Sequence, residues 1–189
     1  VVDPQVYDLE LTPQWHQVAL FNTGSKSDKV VVPLSGDRVT TGAIGLDAAA
    51  VYYVYDFWDD SLVGKFPGTA TVEKTLEPSA CAMLSVREAL PHPQVLSTNR
   101  HVLQGWVDLA NVKWDAANRQ LTGTAKVIGG ETYRITLALN GYTTETAEAD
   151  GVAIQVTPRT GDEPLAEVSL RTEQNHDVSW KVVFRRTQR

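Results

Sequence analysis

The chain has very little cysteine. Cys81 is the only one among 189 residues, so no internal disulfide can form, and cysteine usage does not indicate a redox compartment. A chain of this length buries enough surface to fold without covalent cross-links. We interpret Cys81 as a small buried hydrophobe inside a strand and assign it no chemistry.

Positive charge is also scarce, with 17 lysines and arginines against 23 aspartates and glutamates and a net charge of −6. Such a balance repels a phosphate backbone unless the basic residues are concentrated in one place. The one basic cluster, Arg185, Arg186 and Arg189, lies at the C-terminal end, which is typical of a solvated terminus. Nucleic acid is therefore not expected as a partner.

Long apolar runs are missing. No stretch approaches the ~20 residues that cross a bilayer, and Asp3 and Pro4 stand where a signal peptide would need a basic start and an apolar segment. We therefore expect no membrane partner. The chain starts with Val1 instead of Met, from which we expect that a preceding segment has been removed, so the sequence assigns no localisation.

Helical periodicity is absent too, since no segment of ten or more residues keeps an apolar period of 3.6. Apolar and polar residues alternate with a period of two instead, which is typical of antiparallel strands with one dry and one wet face. Turn residues that tolerate positive φ, such as Asn140-Gly141, separate these segments. The pattern predicts an all-β fold, an antiparallel β-sandwich. The clearest alternating segments are residues 16–21, 69–76, 80–87, 132–139, 166–171 and 178–185.

The most informative stretch is residues 51–64, VYYVYDFWDDSLVG. Both faces of residues 51–58 are largely apolar, which predicts a central strand covered on both sides. The acidic turn at residues 59–61 then returns the chain through residues 62–66, so we predict a hairpin in the core.

Alternation fades between residues 88 and 104, where two prolines flank His92. Proline lacks an amide hydrogen and restricts the residue before it, so this segment is predicted to be extended but poorly suited to a central ladder. We place a boundary near Leu90, with one sandwich over residues 1–90 and a second, Ig-like sandwich over residues 91–189. A single continuous β unit is the alternative.

Catalytic and metal-binding patterns are weak. Hydrolysis of a glycosidic bond needs two carboxylates across a sugar-sized cleft, and the best local cluster, Asp56, Asp59 and Asp60, is interpreted as turn formers; calcium binding there is the alternative. The four histidines have no paired ligand spacing, and Gly129-Gly130 is followed by neither a lysine nor a helix. We predict no catalytic residue, no metal site and no cofactor.

Two groups of residues remain as candidates for other roles. A polar cluster of the linker is interpreted as hydrogen-bonding the backbone there and locking the two modules. Flat aromatic rings beside polar neighbours suit the apolar face of a pyranose, which makes three aromatic residues candidates for carbohydrate binding, whereas Trp180 is predicted to be core. The linker cluster is His92, Asn99, Arg100 and His101, and the aromatic candidates are Trp106, Trp114 and Tyr53.

Several segments, in order, resemble one family. They are VALFNT at 18–23, VVVPL at 30–34, GLD at 45–47, YVYDFW at 53–58, LVG at 62–64, LEPSACAMLSV at 76–86, HPQVLSTNRHVLQG at 92–105, VKWD at 112–115 and LTGTAKVIGGETY at 121–133. The series is similar to the C-terminal β-sandwich region of melibiase-type α-galactosidases and related bacterial glycoside hydrolases. In that family the sandwich follows a catalytic (β/α)₈ barrel whose paired aspartates have no counterpart here.

The resemblance implies a non-catalytic accessory domain, inactive alone, that packs against the barrel of its parent chain. On this interpretation the chain itself is not an enzyme, and its partner is the barrel. A carbohydrate-binding module is the alternative, which makes carbohydrate a further candidate partner. A third hypothesis is a protein-interaction β-sandwich that self-associates through an exposed apolar patch.

Overall fold

A computed structural model describes residues 5–187 of the chain. Val1, Asp3, Pro4 and Arg189, which entered the sequence analysis, lie outside this range. The described residues form antiparallel sheets built as sandwiches, which confirms the predicted all-β fold class. The chain divides into two compact units, Val1–Ala89 and Leu90–Arg189.

The first unit contains two antiparallel sheets. Five strands lie in the order β1-β2-β7-β4-β5, and β3 pairs with β6 in a second sheet. Apolar residues from both sheets meet in one buried cluster, which includes Leu20, Tyr52 and Val72. The strands are β1 (Val6–Thr12), β2 (Trp15–Phe21), β3 (Asp28–Pro33), β4 (Val51–Asp56), β5 (Ser61–Pro67), β6 (Thr71–Leu76) and β7 (Cys81–Glu88).

Strand β4 is an interior strand of that sheet, paired on both sides as predicted. It pairs with both β5 and β7, and five of its six residues are buried. The strand ends at Asp56, two residues earlier than the apolar pattern suggests, because Oδ1 of Asp56 accepts a hydrogen bond from the amide of Trp58 at 3.0 Å and turns the chain. Trp58 consequently lies in the turn and is 56% exposed.

The second unit is also a sandwich of two antiparallel sheets, with strand orders β12-β15-β10-β9 and β13-β14-β11-β8. Its core takes residues from both sheets, and Trp180 belongs to it, as predicted, with 2% of its surface exposed. The elements are β8 (Gln94–Thr98), a 3₁₀ turn (Leu103–Gly105), β9 (Leu109–Asp115), β10 (Gln120–Val127), β11 (Thr132–Ala138), β12 (Tyr142–Ala149), β13 (Ala153–Arg159), β14 (Leu165–Arg171) and β15 (His176–Arg186).

The proline-flanked segment behaves as its chemistry predicts. Strand β8 lies at the edge of its sheet and pairs only with β11. The turn from β11 to β12 uses Asn140 and Gly141, both at positive φ (49° and 81°), the backbone geometry of a tight hairpin. Nδ2 of Asn140 donates to the carbonyl of His92 at 2.8 Å, which fastens this turn to the start of the unit.

The interpretation of Cys81 as a buried residue is wrong. Cys81 is exposed, whereas its neighbour Ala82 is 2% exposed and lies in the core. Successive residues of a strand point to opposite faces, so the inward position of Ala82, Leu84 and Val86 requires Cys81 to point the other way.

Candidate functional site

The aspartate cluster of the first unit is tied to a lysine. Nζ of Lys74 lies 2.6 Å from Oδ2 of Asp56 and 2.5 Å from Oδ2 of Asp59. Asp56 is 1% exposed, and its Oδ1 holds the turn backbone. Tyr55 donates to Asp60 at 2.7 Å. An ammonium ion of the protein thus contacts the oxygens considered for calcium, and the cluster serves the hairpin.

Burial alone would lower the pKa of Lys74, but hydrogen bonds and negative charge from Asp56 and Asp59 outweigh it, so the pKa of Lys74 is raised above its ordinary value. Lys74 therefore stays protonated at neutral pH and neutralises the buried Asp56.

Asn99 of the linker cluster extends the ladder beyond β8. Its amide donates to the carbonyl of Arg134, its Nδ2 donates to the carbonyl of Thr132 at 2.8 Å, and its Oδ1 accepts from the amide of Arg134 at 2.9 Å. The Asn99 side chain makes the two hydrogen bonds to β11 that the backbone of a further β8 residue would otherwise make. Asn99 is thus a structural residue of the second unit.

Arg100 and His101 follow Asn99 and behave differently. Nη1 of Arg100 forms an ion pair with Oε2 of Glu131 at 2.7 Å, and its guanidinium lies 5.8 Å from the centre of the Tyr133 ring. His101 is an exposed turn residue.

His92 packs on one of the predicted sugar-binding aromatics. Its ring is stacked on that of Trp114, with centroids 5.1 Å apart and planes within 4° of parallel. Tyr142 and Phe184 meet the same indole at 5.5 and 5.9 Å. Trp114 is accordingly half-buried beside the core of the second unit, with protein side chains on its ring.

Trp106 and Tyr53 lie in opposite environments. Trp106 follows the 3₁₀ turn and is 45% exposed, whereas Tyr53 is 2% exposed, with Nζ of Lys65 4.9 Å from its ring centre. A stacking surface for a sugar has to be accessible. Of the three aromatic candidates, Trp106 is therefore the one whose exposure suits carbohydrate binding.

A buried carboxylate in the second unit has no obvious sequence signal. Asp108 is 7% exposed, and its Oδ2 accepts from Oγ1 of Thr98 at 2.7 Å and from the hydroxyl of Tyr133 at 2.5 Å. Burial and then the charge of Asp108 raise the pKa of Tyr133 well above its usual value. Oδ1 of Asp108 is buried without a hydrogen-bond partner among the described residues.

Next to Asp108 in sequence, the 3₁₀ turn is strained. Leu103 and Gln104 both have positive φ, 59° and 43°, a conformation that costs side-chain-bearing residues free energy. Gln104 is fully buried, and Ser97 donates to its Oε1 at 2.7 Å. The turn and β8 are therefore held together by a buried polar contact that sequence spacing does not predict.

A cleft in the second unit lies on the β9, β10, β15 and β12 sheet and has a volume of about 620 Å³. Two carboxylates, Glu148 and Asp150, line it. Both are exposed, and Glu148 pairs with Lys181 at 2.9 Å. A glycosidase acid needs a dry environment that raises its pKa, which this open, solvated surface does not provide.

Metal-ligand clusters and membrane-spanning helices were both sought in the described part of the chain. No group of three or more His, Cys, Asp or Glu side chains within residues 5–187 is arranged to hold a metal ion. No helix in that range is long and apolar enough to cross a membrane.

Comparison of the chain with protein-family models and with curated proteins finds no match in either. The resemblance to the α-galactosidase sandwich region therefore rests on the sequence segments quoted above, and its functional consequences are treated as a proposal.

Proposed function

We propose that this chain is a non-catalytic accessory domain of an α-galactosidase-like glycoside hydrolase, which packs against its catalytic (β/α)₈ barrel and stabilises it. The observation that carries the proposal is the set of contacts made by the buried carboxyl groups. Within residues 5–187 the buried carboxyl groups are Asp56 and Asp108. Each is engaged by partners of its own unit, Lys74 in one case and two hydroxyl groups in the other.

A catalytic pair in a retaining or inverting glycosidase faces a common cleft across roughly 5 to 9.5 Å. Asp56 and Asp108 are instead engaged by side chains of their own units, and their contacts hold a turn and a strand. These residues support a structural role for the chain, with the bond chemistry supplied by the barrel.

The first unit offers an apolar surface that suits contact with such a barrel. Val39 is 93% exposed and Val31 is 46% exposed. Val31 also lines a cleft of about 520 Å³, in which apolar residues such as Val6 and Ile44 lie beside the polar Asp8 and Arg38. Exposed apolar groups next to a concave surface are typical of protein contacts, so we propose that the barrel covers this face.

The first experiment measures hydrolysis of a chromogenic α-galactoside by the purified chain, for which we expect no turnover. A robust rate that a single substitution within the chain abolishes would overturn the proposal.

A second experiment tests the contact face in the longer parent chain. There, Val31→Asp should lower the temperature at which half of the catalytic activity is lost. Val112→Asp is the matched control, because Val112 is similarly exposed (44%) but lies on β9 in the second unit. Equal shifts for both variants would argue against the proposed contact face.

A carbohydrate-binding module is the second candidate function, favoured by the 45% exposure of Trp106. Calorimetric titration with galactosides tests it. Binding with a dissociation constant of about 1 mM or tighter that is lost in Trp106→Ala and kept in Trp58→Ala would support this role. The control is apt because Trp58 is also exposed, at 56%.

A further inference from the structure

Three arginines meet at one end of a sheet in the second unit. Arg185 and Arg186 are the last residues of β15, and Arg119 lies in the turn between β9 and β10. The amide of Phe184 donates to the carbonyl of Arg119 at 2.9 Å, which brings that turn beside the end of β15. Together with Thr143 and Thr187, the arginines line a cleft of about 530 Å³.

Among the described residues, no carboxylate forms an ion pair with these arginines. The cleft lining contains no acidic residue, and within residues 5–187 the ion pairs are made by other cations. Asp115, the last residue of β9, accepts a hydrogen bond from Nδ2 of Asn118 at 2.7 Å, and that hydrogen bond lowers its pKa. An unneutralised cationic cleft in a chain of net charge −6 points to an anionic ligand.

Two of the guanidinium groups are oriented by strand β12. Nε of Arg185 donates to Oγ1 of Thr143 at 3.1 Å, and Nε of Arg186 donates to the hydroxyl of Tyr142 at 3.3 Å. These contacts use one donor of each group, and within residues 5–187 no hydrogen bond engages the Nη1 and Nη2 donors. A guanidinium held in this way presents a planar fork of N–H groups, the geometry that matches two oxygens of a carboxylate or phosphate.

We propose that this cleft is an oxyanion-binding site, which takes a sulfate, phosphate or carboxylate group carried by a larger ligand. The site is distinct from the accessory contact proposed above and does not depend on it. Because the three arginines are exposed, salt screens them and each contributes modestly. Affinity for an isolated anion is therefore expected in the millimolar range, about 1 to 10 mM.

The test is an NMR titration of the isotopically labelled chain with sodium sulfate, at an ionic strength held constant with sodium chloride. Direct detection is needed because sulfate stabilises most folded proteins through exclusion from their surface, so a melting shift alone is not diagnostic. The Nε–H signals of Arg119, Arg185 and Arg186 should shift and saturate. Shifts that grow linearly without saturating would overturn the site.

Variants show whether the arginines act together. Arg185→Gln and Arg119→Gln should each raise the sulfate concentration at half-saturation by roughly threefold or more. The variant that combines both substitutions should no longer show saturation. Lys126→Gln is the matched control, because it removes one exposed positive charge from β10 outside the cleft. An equal effect of Lys126→Gln would mean general charge attraction and would contradict the proposal. The amide spectrum of each variant confirms that it is folded.

The anion source is distinguished by parallel titrations with phosphate and glucuronate. Saturation by sulfate and phosphate alone assigns a sulfate- or phosphate-bearing ligand, and saturation by glucuronate as well assigns an acidic saccharide or another carboxylate. Failure of all three anions at millimolar concentration would refute the site and leave the proposed accessory function untouched.

Discussion

The two units bury one carboxylate each, and they stabilise it in different ways. Asp56 faces the ammonium of Lys74, whereas Asp108 receives hydrogen bonds from the hydroxyls of Thr98 and Tyr133. In the first unit a full opposite charge in direct contact compensates the loss of hydration, whereas in the second the carboxylate is contacted by two neutral hydroxyl groups. A buried acid can therefore be a structural element in either form, and burial by itself does not identify a catalytic residue.

The largest effect is expected from breaking the charge pair of the first unit. Lys74→Met should lower the free energy of unfolding by about 3 kcal/mol, because it leaves the buried Asp56 without its cation. Urea denaturation measures this loss. Asp56→Asn in the same chain should restore part of it, since the amide keeps an oxygen for the turn and carries no charge. A double variant no more stable than Lys74→Met would show that the charge is not what matters at this turn.

Removing one hydroxyl donor in the second unit is expected to cost less. Tyr133→Phe should reduce the free energy of unfolding by about 2 kcal/mol, the value of a hydrogen bond to a charged acceptor. Thr98→Val should have a similar effect on the same carboxylate. Thr124→Val is the control, because Thr124 is half-buried on β10 and lies outside the contacts of Asp108. Losses of the same size in the control would indicate general strand weakening.

The contribution of Tyr133 to stability is expected to depend on pH. The pKa of Tyr133 in the folded chain is raised above its unfolded value, so its contribution is complete below about pH 10 and is lost as the pH rises beyond that point. Between pH 10 and 11 the advantage of the wild type over Tyr133→Phe should fall by about 1 kcal/mol. Paired denaturation curves at pH 8, 10 and 11 measure this change. A constant difference across that range would contradict the raised pKa.

The smallest effect is expected from an exposed pair on the second sheet of the first unit. Nζ of Lys29 lies 2.9 Å from Oε2 of Glu73, much as Lys74 lies close to Asp56, but both partners are more than half exposed. Lys29→Met should change the free energy of unfolding by less than about 0.5 kcal/mol. A loss comparable to that of Lys74→Met would mean that burial does not set the strength of these pairs.

The positions of the strands are the part of the fold that could be predicted from the sequence. The alternation in residues 178–185 and 132–139 correctly predicted β15 and β11, because one face of each strand lies in the core. The end of β4 was misplaced, since Trp58 continues the apolar pattern although the Asp56 carboxylate has already turned the backbone. The polar side chain of Asp56 outweighed the hydrophobic pattern.

The polar contacts were much harder to predict. Asp108 meets Thr98 and Tyr133, which are 10 and 25 residues away along the chain. Likewise, Arg119 reaches the end of β15 only because the β9–β10 turn pairs beside Phe184. Neither pairing has a local spacing that would reveal it. The interpretation of Arg185 and Arg186 as a solvated terminus followed from their position alone and contained no information about Arg119.

The amino-acid sequence by itself determined which segments are strands and which of their faces are dry, because side chains alternate with a fixed period of two residues along an extended backbone. The tertiary structure alone decided which charged and polar groups meet. Strand order and register set those contacts, and they place Lys74 on Asp56, two hydroxyls on Asp108 and three arginines around one cleft.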